Sequence, residues 1–130
     1  MKNIQGLHHI GLPTACIEDS VAFYERLGGK IYYEKTDEFE GRPIRVVLMN
    51  FYGILIEMYE RRKLAGVVGA WEHLAFRVEN LEELYEYVKR EGFQLMDECK
   101  DNIQFSSYWP DGTHWFIVYG VNGEKIEFCK

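Results

Sequence analysis

Two histidines and two glutamates of this 130-residue chain stand at spacings that could make one metal-binding set, His9 with Glu57 and His73 with Glu127. Imidazole and carboxylate together are a mixed nitrogen and oxygen donor set suited to a divalent transition metal. The local pattern also aims them. In an extended segment, His73, Ala75 and Arg77 share one face while Leu74, Phe76 and Val78 share the other. By the same period of two, Glu57 opposes Ile56 and Met58, and Glu127 opposes Ile126 and Phe128. The apolar face would receive a helix, which leaves all four candidate ligands on the opposite, concave face. A carboxylate flanked by Ile and Met, or by Ile and Phe, is costly to bury without a cation.

The elements that must position these groups are legible in outline. Asn80 to Glu91 reads as a helix, with Leu81, Leu84, Tyr85 and Val88 at helical spacing, Asn80 and Glu83 as a capping box, and Gly92 after the end. Ile17 to Leu27 reads as another, with Ile17, Val21, Phe23 and Tyr24 apolar, Glu18 and Asp19 in the first turn, and Gly28-Gly29 beyond. Strands are expected at Leu7 to Pro13, Lys30 to Lys35, Ile44 to Met49, Ile54 to Tyr59, His73 to Val78, Gln94 to Glu98, Ile103 to Trp109, Trp115 to Tyr119 and Lys125 to Cys129. Glu40-Gly41-Arg42-Pro43, Tyr52-Gly53, Pro110-Asp111-Gly112 and Asn122-Gly123 supply the turns.

The order is strand, helix and three strands, given twice, with a link at about Arg61 to Ala70. His9-Ile10-Gly11-Leu12 maps on His73-Leu74-Ala75-Phe76 with an offset of 73 − 9 = 64, which also maps Ile17 on Leu81, Arg26 on Arg90 and Gly28 on Gly92. Near the end of each half the offset is 127 − 57 = 70, so an insertion of six residues is expected between the two points. We read one domain, 1–130, with an internal repeat of 1–64 and 65–130.

Composition narrows the function classes. Fifteen basic against 21 acidic residues give a net charge of −6, and no basic run exceeds the short Arg61-Arg62-Lys63, so neither nucleic acid nor an anionic membrane is the expected main partner. No apolar run approaches the ~20 residues of a membrane span. Three cysteines, and an N-terminus that leads into Gln5 and Gly6 rather than an apolar stretch, predict a reduced, cytoplasmic protein. Cys16, Cys99 and Cys129 have neither metal spacing nor a helix N-terminal or basic context, and read as inert thiols. His8 falls on the wrong face of its strand for the metal set, and His114 is expected at its rim. The acidic stretch Asp37 to Glu40 reads as a solvated hairpin end.

His9-Ile10-Gly11-Leu12, Ser20-Val21-Ala22-Phe23-Tyr24 with Leu27-Gly28, Ile56-Glu57, His73-Leu74-Ala75-Phe76-Arg77-Val78 and Asn122-Gly123-Glu124-Lys125-Ile126-Glu127-Phe128 together resemble the vicinal oxygen chelate superfamily. Within it, the order His, Glu, His, Glu looks like the glyoxalase I (lactoylglutathione lyase) branch. The resemblance implies an α+β fold of two βαβββ modules curling a mixed sheet around a metal cleft. It implies Ni²⁺ or Zn²⁺, with Co²⁺, Mn²⁺ or Fe²⁺ as further options, held by His9, Glu57, His73 and Glu127, and homodimers that commonly share their sites.

The activity so implied is conversion of the hemithioacetal of a 2-oxoaldehyde and a thiol to a 2-hydroxyacyl thioester through an enediolate. Glu127 would take and return the proton, and Glu57 would act as ligand or opposite base. Arg77, four residues after His73, would lie on the ligand face and could hold a substrate carboxylate bidentately. Bacterial glyoxalase I typically contacts glutathione through an arginine four residues after the first histidine and an asparagine four after the first glutamate. Pro13 and Arg61 stand there instead, so the resemblance does not extend to the glutathione contacts. Other readings on the same fold are an epimerase, a ring-cleaving dioxygenase and a small-molecule or antibiotic-binding resistance protein. Glu57 sets the chain apart from the patterns with two histidines and one carboxylate.

Overall fold

The computed structural model describes residues 8–61, 73–107 and 111–130. The chain divides into two compact units, Met1–Leu64 and Ala65–Lys130. Apart from Arg61, the expected link falls outside the described residues, as do Leu7, Trp109 and Pro110.

In the first unit the order is β1 (Ile10–Thr14), α1 (Ile17–Arg26), β2 (Lys30–Phe39), β3 (Arg42–Phe51) and β4 (Ile54–Glu60). The sheet runs β1-β4-β3-β2, with β1 parallel to β4 and the other pairs antiparallel. Two-residue turns set the hairpins: Glu40-Gly41 with φ of 52° and 72°, and Tyr52-Gly53 with φ of 52° and 84°. Positive φ at both central residues is the type I′ geometry, whose twist matches that of the strands. Pairing therefore continues to the tip, and β2 and β3 extend beyond the expected Lys30 to Lys35 and Ile44 to Met49.

Helix α1 buries Ile17, Val21, Phe23 and Tyr24 over an inner face made by Val47, Met49, Phe51, Ile56 and Met58. Tyr24 meets Phe51 edge-on at 5.2 Å between centroids, a geometry that suits the ring quadrupoles. At the start of the helix, the buried Thr14 hydroxyl accepts from the Cys16 N–H and from Ser20 Oγ and donates to the Cys16 carbonyl. At its end Gly28 takes φ 94° while the Gly29 N–H returns to the Tyr24 carbonyl, so the helix stops where a residue without Cβ permits it.

The second unit repeats the order as β5 (Leu74–Arg77), α2 (Leu81–Arg90), β6 (Gln94–Leu95), a 3-10 turn (Asp97–Cys99), β7 (Gln104–Ser106), β8 (Thr113–Tyr119) and β9 (Lys125–Cys129). The sheet runs β5-β9-β8-β6 with β7 also on β8, and again the first and last strands are parallel. The Asn80 side chain accepts from the Glu83 N–H at 3.1 Å, the cap expected there, while the Glu83 carboxylate accepts from the Asn80 side-chain amide at 3.0 Å rather than from its backbone N–H. Leu81, Tyr85 and Val88 of α2 are buried, as are Phe116, Val118, Ile126 and Phe128 of the sheet.

The expected strand Gln94 to Glu98 stops at Leu95. Met96 turns the chain, its N–H bonding to the Ile117 carbonyl, and the following turn places Cys99 wholly in the core with its carbonyl accepting from the Tyr85 hydroxyl at 2.6 Å. The expected Ile103 to Trp109 is paired only over Gln104–Ser106 among the described residues. The insertion also has a definite place. Lys30 faces Asn50 and Gln94 faces Tyr119, so the offset passes from 94 − 30 = 64 to 119 − 50 = 69 between β6 and β8, and the β8–β9 turn adds the sixth residue. Among the described residues no helix is long and apolar enough to cross a membrane.

Candidate metal centre

The parallel pairing of first and last strand brings each histidine to its glutamate. In the first unit Gly11 on β1 faces Glu57 on β4, and His9, one pleat earlier on the same face, reaches across. His9 Nε2 lies 3.0 Å from Glu57 Oε2. In the second unit Ala75 faces Glu127, and His73 Nε2 lies 3.5 Å from Glu127 Oε2. The alternation predicted from sequence holds. Ile56, Met58, Ile126 and Phe128 are buried, whereas Glu57 and Glu127 stay in partial contact with solvent, with side-chain exposures of 37% and 16%. Each glutamate has an apolar neighbour across the antiparallel pair, Leu48 beside Glu57 and the buried Ile117 beside Glu127.

These separations suit donors to a common ion. Two atoms each about 2.1 Å from a divalent ion stand about 3.0 Å apart at octahedral angles and about 3.4 Å apart at tetrahedral angles. Each pair therefore fits two adjacent positions of one coordination shell. Among the described residues, no third His, Cys, Asp or Glu joins either pair within its own half as a ligating group.

Sequence reasoning assigned His8 no role, yet its Nδ1 lies 2.8 Å from Nδ1 of His9, with the rings edge to face at 5.1 Å. Both histidines precede β1, where strand alternation no longer keeps adjacent rings apart. A hydrogen bond to Nδ1 fixes the tautomer and direction of Nε2, the nitrogen turned to Glu57. The adjacency of the two histidines was the available signal.

Arg77 pairs with Cys129 at the end of β5, so by parity it lies on the His73 and Glu127 face, and it is exposed. His114 is a correction. It stands on the strand face opposite Glu127, because Ile117 is the residue facing Glu127 and the odd-numbered positions of β8 share its side; His114 packs instead on Phe105 at 5.1 Å. Cys16 is a second correction, since it occupies the N-cap of α1. The Asp19 N–H draws its pKa down, but the carboxylates of Asp19 and Glu18 outweigh that and leave the thiol above its ordinary value. Burial raises Cys99 and Cys129. All three are free thiols.

Beside the His9 and Glu57 pair, the first unit opens into a cavity of about 430 Å³. Glu57, Tyr59 and Arg61 follow one another along its wall, with Ile44 and Val46 of β3 and Asp37 and Glu38 of β2 around it. The Tyr59 ring lies over Gly11, at a distance of 3.5 Å from where a Cβ would stand, which is ordinary van der Waals contact.

Known structures share this architecture. SMU.1112c superposes with a TM-score of 0.75 at 18% identity, over 98% of this chain and 100% of that one. The glyoxalase family protein of Enterococcus faecalis gives 0.75 at 15% identity, over 97% and 98%. The fosfomycin resistance protein FosX of Listeria monocytogenes, solved with Mn(II) and sulfate, gives 0.68 at 21% identity, over 97% and 92%. No curated protein matches the sequence. The profile of the Glyoxalase/Bleomycin resistance protein/Dioxygenase superfamily matches residues 6–128, nearly the whole chain, and to that superfamily the chain belongs.

Proposed function

We propose that the protein is a metal-dependent lyase of the glyoxalase I type, which isomerises the hemithioacetal of a 2-oxoaldehyde such as methylglyoxal to a 2-hydroxyacyl thioester. The observation that carries this reading is the recurrence of one His–Glu pair in each half, at 3.0 and 3.5 Å, which gives two imidazoles and two carboxylates. His9, Glu57, His73 and Glu127 would hold the ion, with one pair of each kind drawn from a single chain or from two copies in a homodimer. Ni²⁺ and Zn²⁺ suit this donor set, and Mn²⁺ joins the list to be tried because FosX carries it.

A divalent ion there supplies Lewis-acid polarisation of two neighbouring substrate oxygens. The proton chemistry belongs to the chain. Glu127 takes the proton from the thiol-bearing carbon and returns it to the adjacent carbon, so that no net proton is consumed. Across the antiparallel pair Glu127 stands beside the buried Ile117, which keeps water from that side of the carboxylate. Glu57 serves as ligand or as base toward the opposite face of the substrate, and Arg77 as a carboxylate contact in the second half.

The test is metal analysis of protein purified without chelator, coupled to thioester formation from methylglyoxal with a panel of thiols. One divalent ion per four-residue set and turnover lost on chelation are expected. Metal-free protein that cannot be loaded, or a loaded protein inert with every thiol, would overturn the proposal. Oxygen uptake with Fe²⁺ and a catechol, and epoxide opening of fosfomycin with Mn²⁺, separate the rival reactions.

A further inference from the structure

Tyr59 carries a hydroxyl that the fold does not use. In the same unit the Tyr52 hydroxyl donates to the Leu27 carbonyl at 2.8 Å, and in the second unit that of Tyr85 donates to the Cys99 carbonyl at 2.6 Å. Among the described residues the Tyr59 hydroxyl has no hydrogen-bond partner, although its ring is held. The edge of the ring lies over Gly11, and the Arg61 guanidinium, itself 3.7 Å from the centre of Phe39, covers its face at 4.5 Å from the ring centre. A hydroxyl fixed in place and left unpaired is a preorganised donor.

The register shows where that donor stands. Tyr59 faces Pro13 on β1, yet its Cε1 and its hydroxyl oxygen come to 3.5 and 3.6 Å from the place of a Gly11 Cβ, one pleat back. Gly11 is the partner of Glu57. With neighbouring strands about 4.8 Å apart, the phenol oxygen stands on the order of 6 Å from the Glu57 carboxylate, in the wall of the cavity that His9 and Glu57 line. That interval is too long for a direct hydrogen bond and leaves room for one oxygen-bearing group between the two.

The second half lacks this feature. Two residues after Glu127 stands Cys129, whose thiol donates to the Phe76 carbonyl at 3.6 Å. The phenol is therefore no requirement of the repeated fold, and the two glutamates have different neighbours. From this geometry we infer that Tyr59 donates a hydrogen bond to the substrate oxygen on which negative charge collects when Glu127 withdraws the proton. The phenol keeps its own proton; the hydrogen bond strengthens as charge develops, and no group is transferred. The inference rests on the proposed lyase reading for the reaction, and on the cavity alone for an anionic oxygen beside His9 and Glu57.

Y59F removes one oxygen and nothing else, and it is compared with wild type after both are loaded with Co²⁺ to the same measured content. Thioester formation from the methylglyoxal adduct of the thiol that turns over fastest gives kcat and KM. For binding without chemistry, two chelating probes of equal size are titrated against the Co²⁺ absorption spectrum: acetohydroxamate, whose vicinal oxygens share a negative charge, and hydroxyacetone, whose vicinal oxygens are neutral. Thermal melts check folding. Y59F should lower kcat about 10²-fold, the value of one donor to a developing oxyanion, with KM, metal content and melting temperature little changed. Its affinity for the hydroxamate should fall about 10-fold and that for hydroxyacetone less than about 2-fold, because a hydrogen bond to a charged acceptor is the stronger one.

Wild-type kcat in Y59F, equal weakening of both probes, or loss of the ion from the variant would overturn the inference. Selective weakening of the hydroxamate in Y59F, with no turnover of any adduct by the wild type, would sustain it while sinking the lyase assignment. A wild type that takes up no ion, and hence no hydroxamate, would overturn both.

Discussion

His9 and Glu57 meet Nε2 to Oε2 at 3.0 Å across the parallel strands β1 and β4, with the rest of their unit folded between them. The pair has a counterpart at the same topological point of the second half, His73 and Glu127. Replacing Glu127 by Gln keeps size and a donor oxygen but removes the base. Turnover should fall about 10²- to 10⁴-fold, the usual value of a positioned acid–base group, with most metal and the far-UV spectrum retained. Full activity in E127Q, measured on protein of known metal content, would remove Glu127 from its role.

Chelation should cost stability as well as activity. A ligand that binds only the folded chain at 100 times its Kd stabilises by about 2.7 kcal/mol, so dialysis against a chelator should lower the melting temperature by several degrees. Restoring the ion should restore it. H9A and E57A, which remove the donor atoms, should each lose most of that metal-dependent increment; a melting curve indifferent to metal in the wild type would contradict a four-residue site.

Gly28 is held at φ 94°, and a Cβ there would come within 2.5 Å of the Tyr52 hydroxyl, itself bonded to the Leu27 carbonyl at 2.8 Å. Gly28→Ala combines left-handed strain with displacement of Tyr52 and should destabilise by about 1–3 kcal/mol. Gly41→Ala, at φ 72° with open space around the site, should cost less. Chemical denaturation of both variants reads the difference, and equal losses would show that Tyr52 yields freely.

Cys99 is wholly buried and its pKa is raised, chiefly by desolvation. In the native protein it should resist iodoacetamide long after Cys16 has reacted, which peptide mapping of timed samples would reveal. The unfolded thiol ionises first, so above about pH 9 the unfolded state binds fewer protons and stability falls as pH rises. Replacing Cys99 by Ala should flatten that alkaline limb even while it lowers overall stability through the cavity left behind.

The regular elements were legible because local rules and packing agree: the cap of Asn80 on the Glu83 N–H, the glycines that stop both helices, and the alternation that turns Glu57 and Glu127 away from Ile56 and Ile126. The second half was harder from Gln94 onward. There, burial of Cys99 and the Tyr85 hydroxyl bond overrule a β-like run, and neither is visible without tertiary contacts. The same limit applied to Arg61. In sequence it is only the first residue of a short basic run, and its stacking on Phe39, carried there by a hairpin extended by the Glu40-Gly41 turn, has no local signal.

Strand β2 closes one side of its sheet among the described residues, and all ten of its residues are exposed. Its two ends differ. Lys30-Ile31-Tyr32-Tyr33 offers bare apolar rings, while Glu34-Lys35-Thr36-Asp37-Glu38 alternates charge, the usual defence of an open edge against stray pairing. That defence is mostly acidic and therefore conditional. Acidification into the ordinary carboxylate range, about pH 4, would weaken it, although Lys35 holds Asp37 ionised lower still; storage at such acidity invites fibrous precipitation that begins from the tyrosine-bearing stretch.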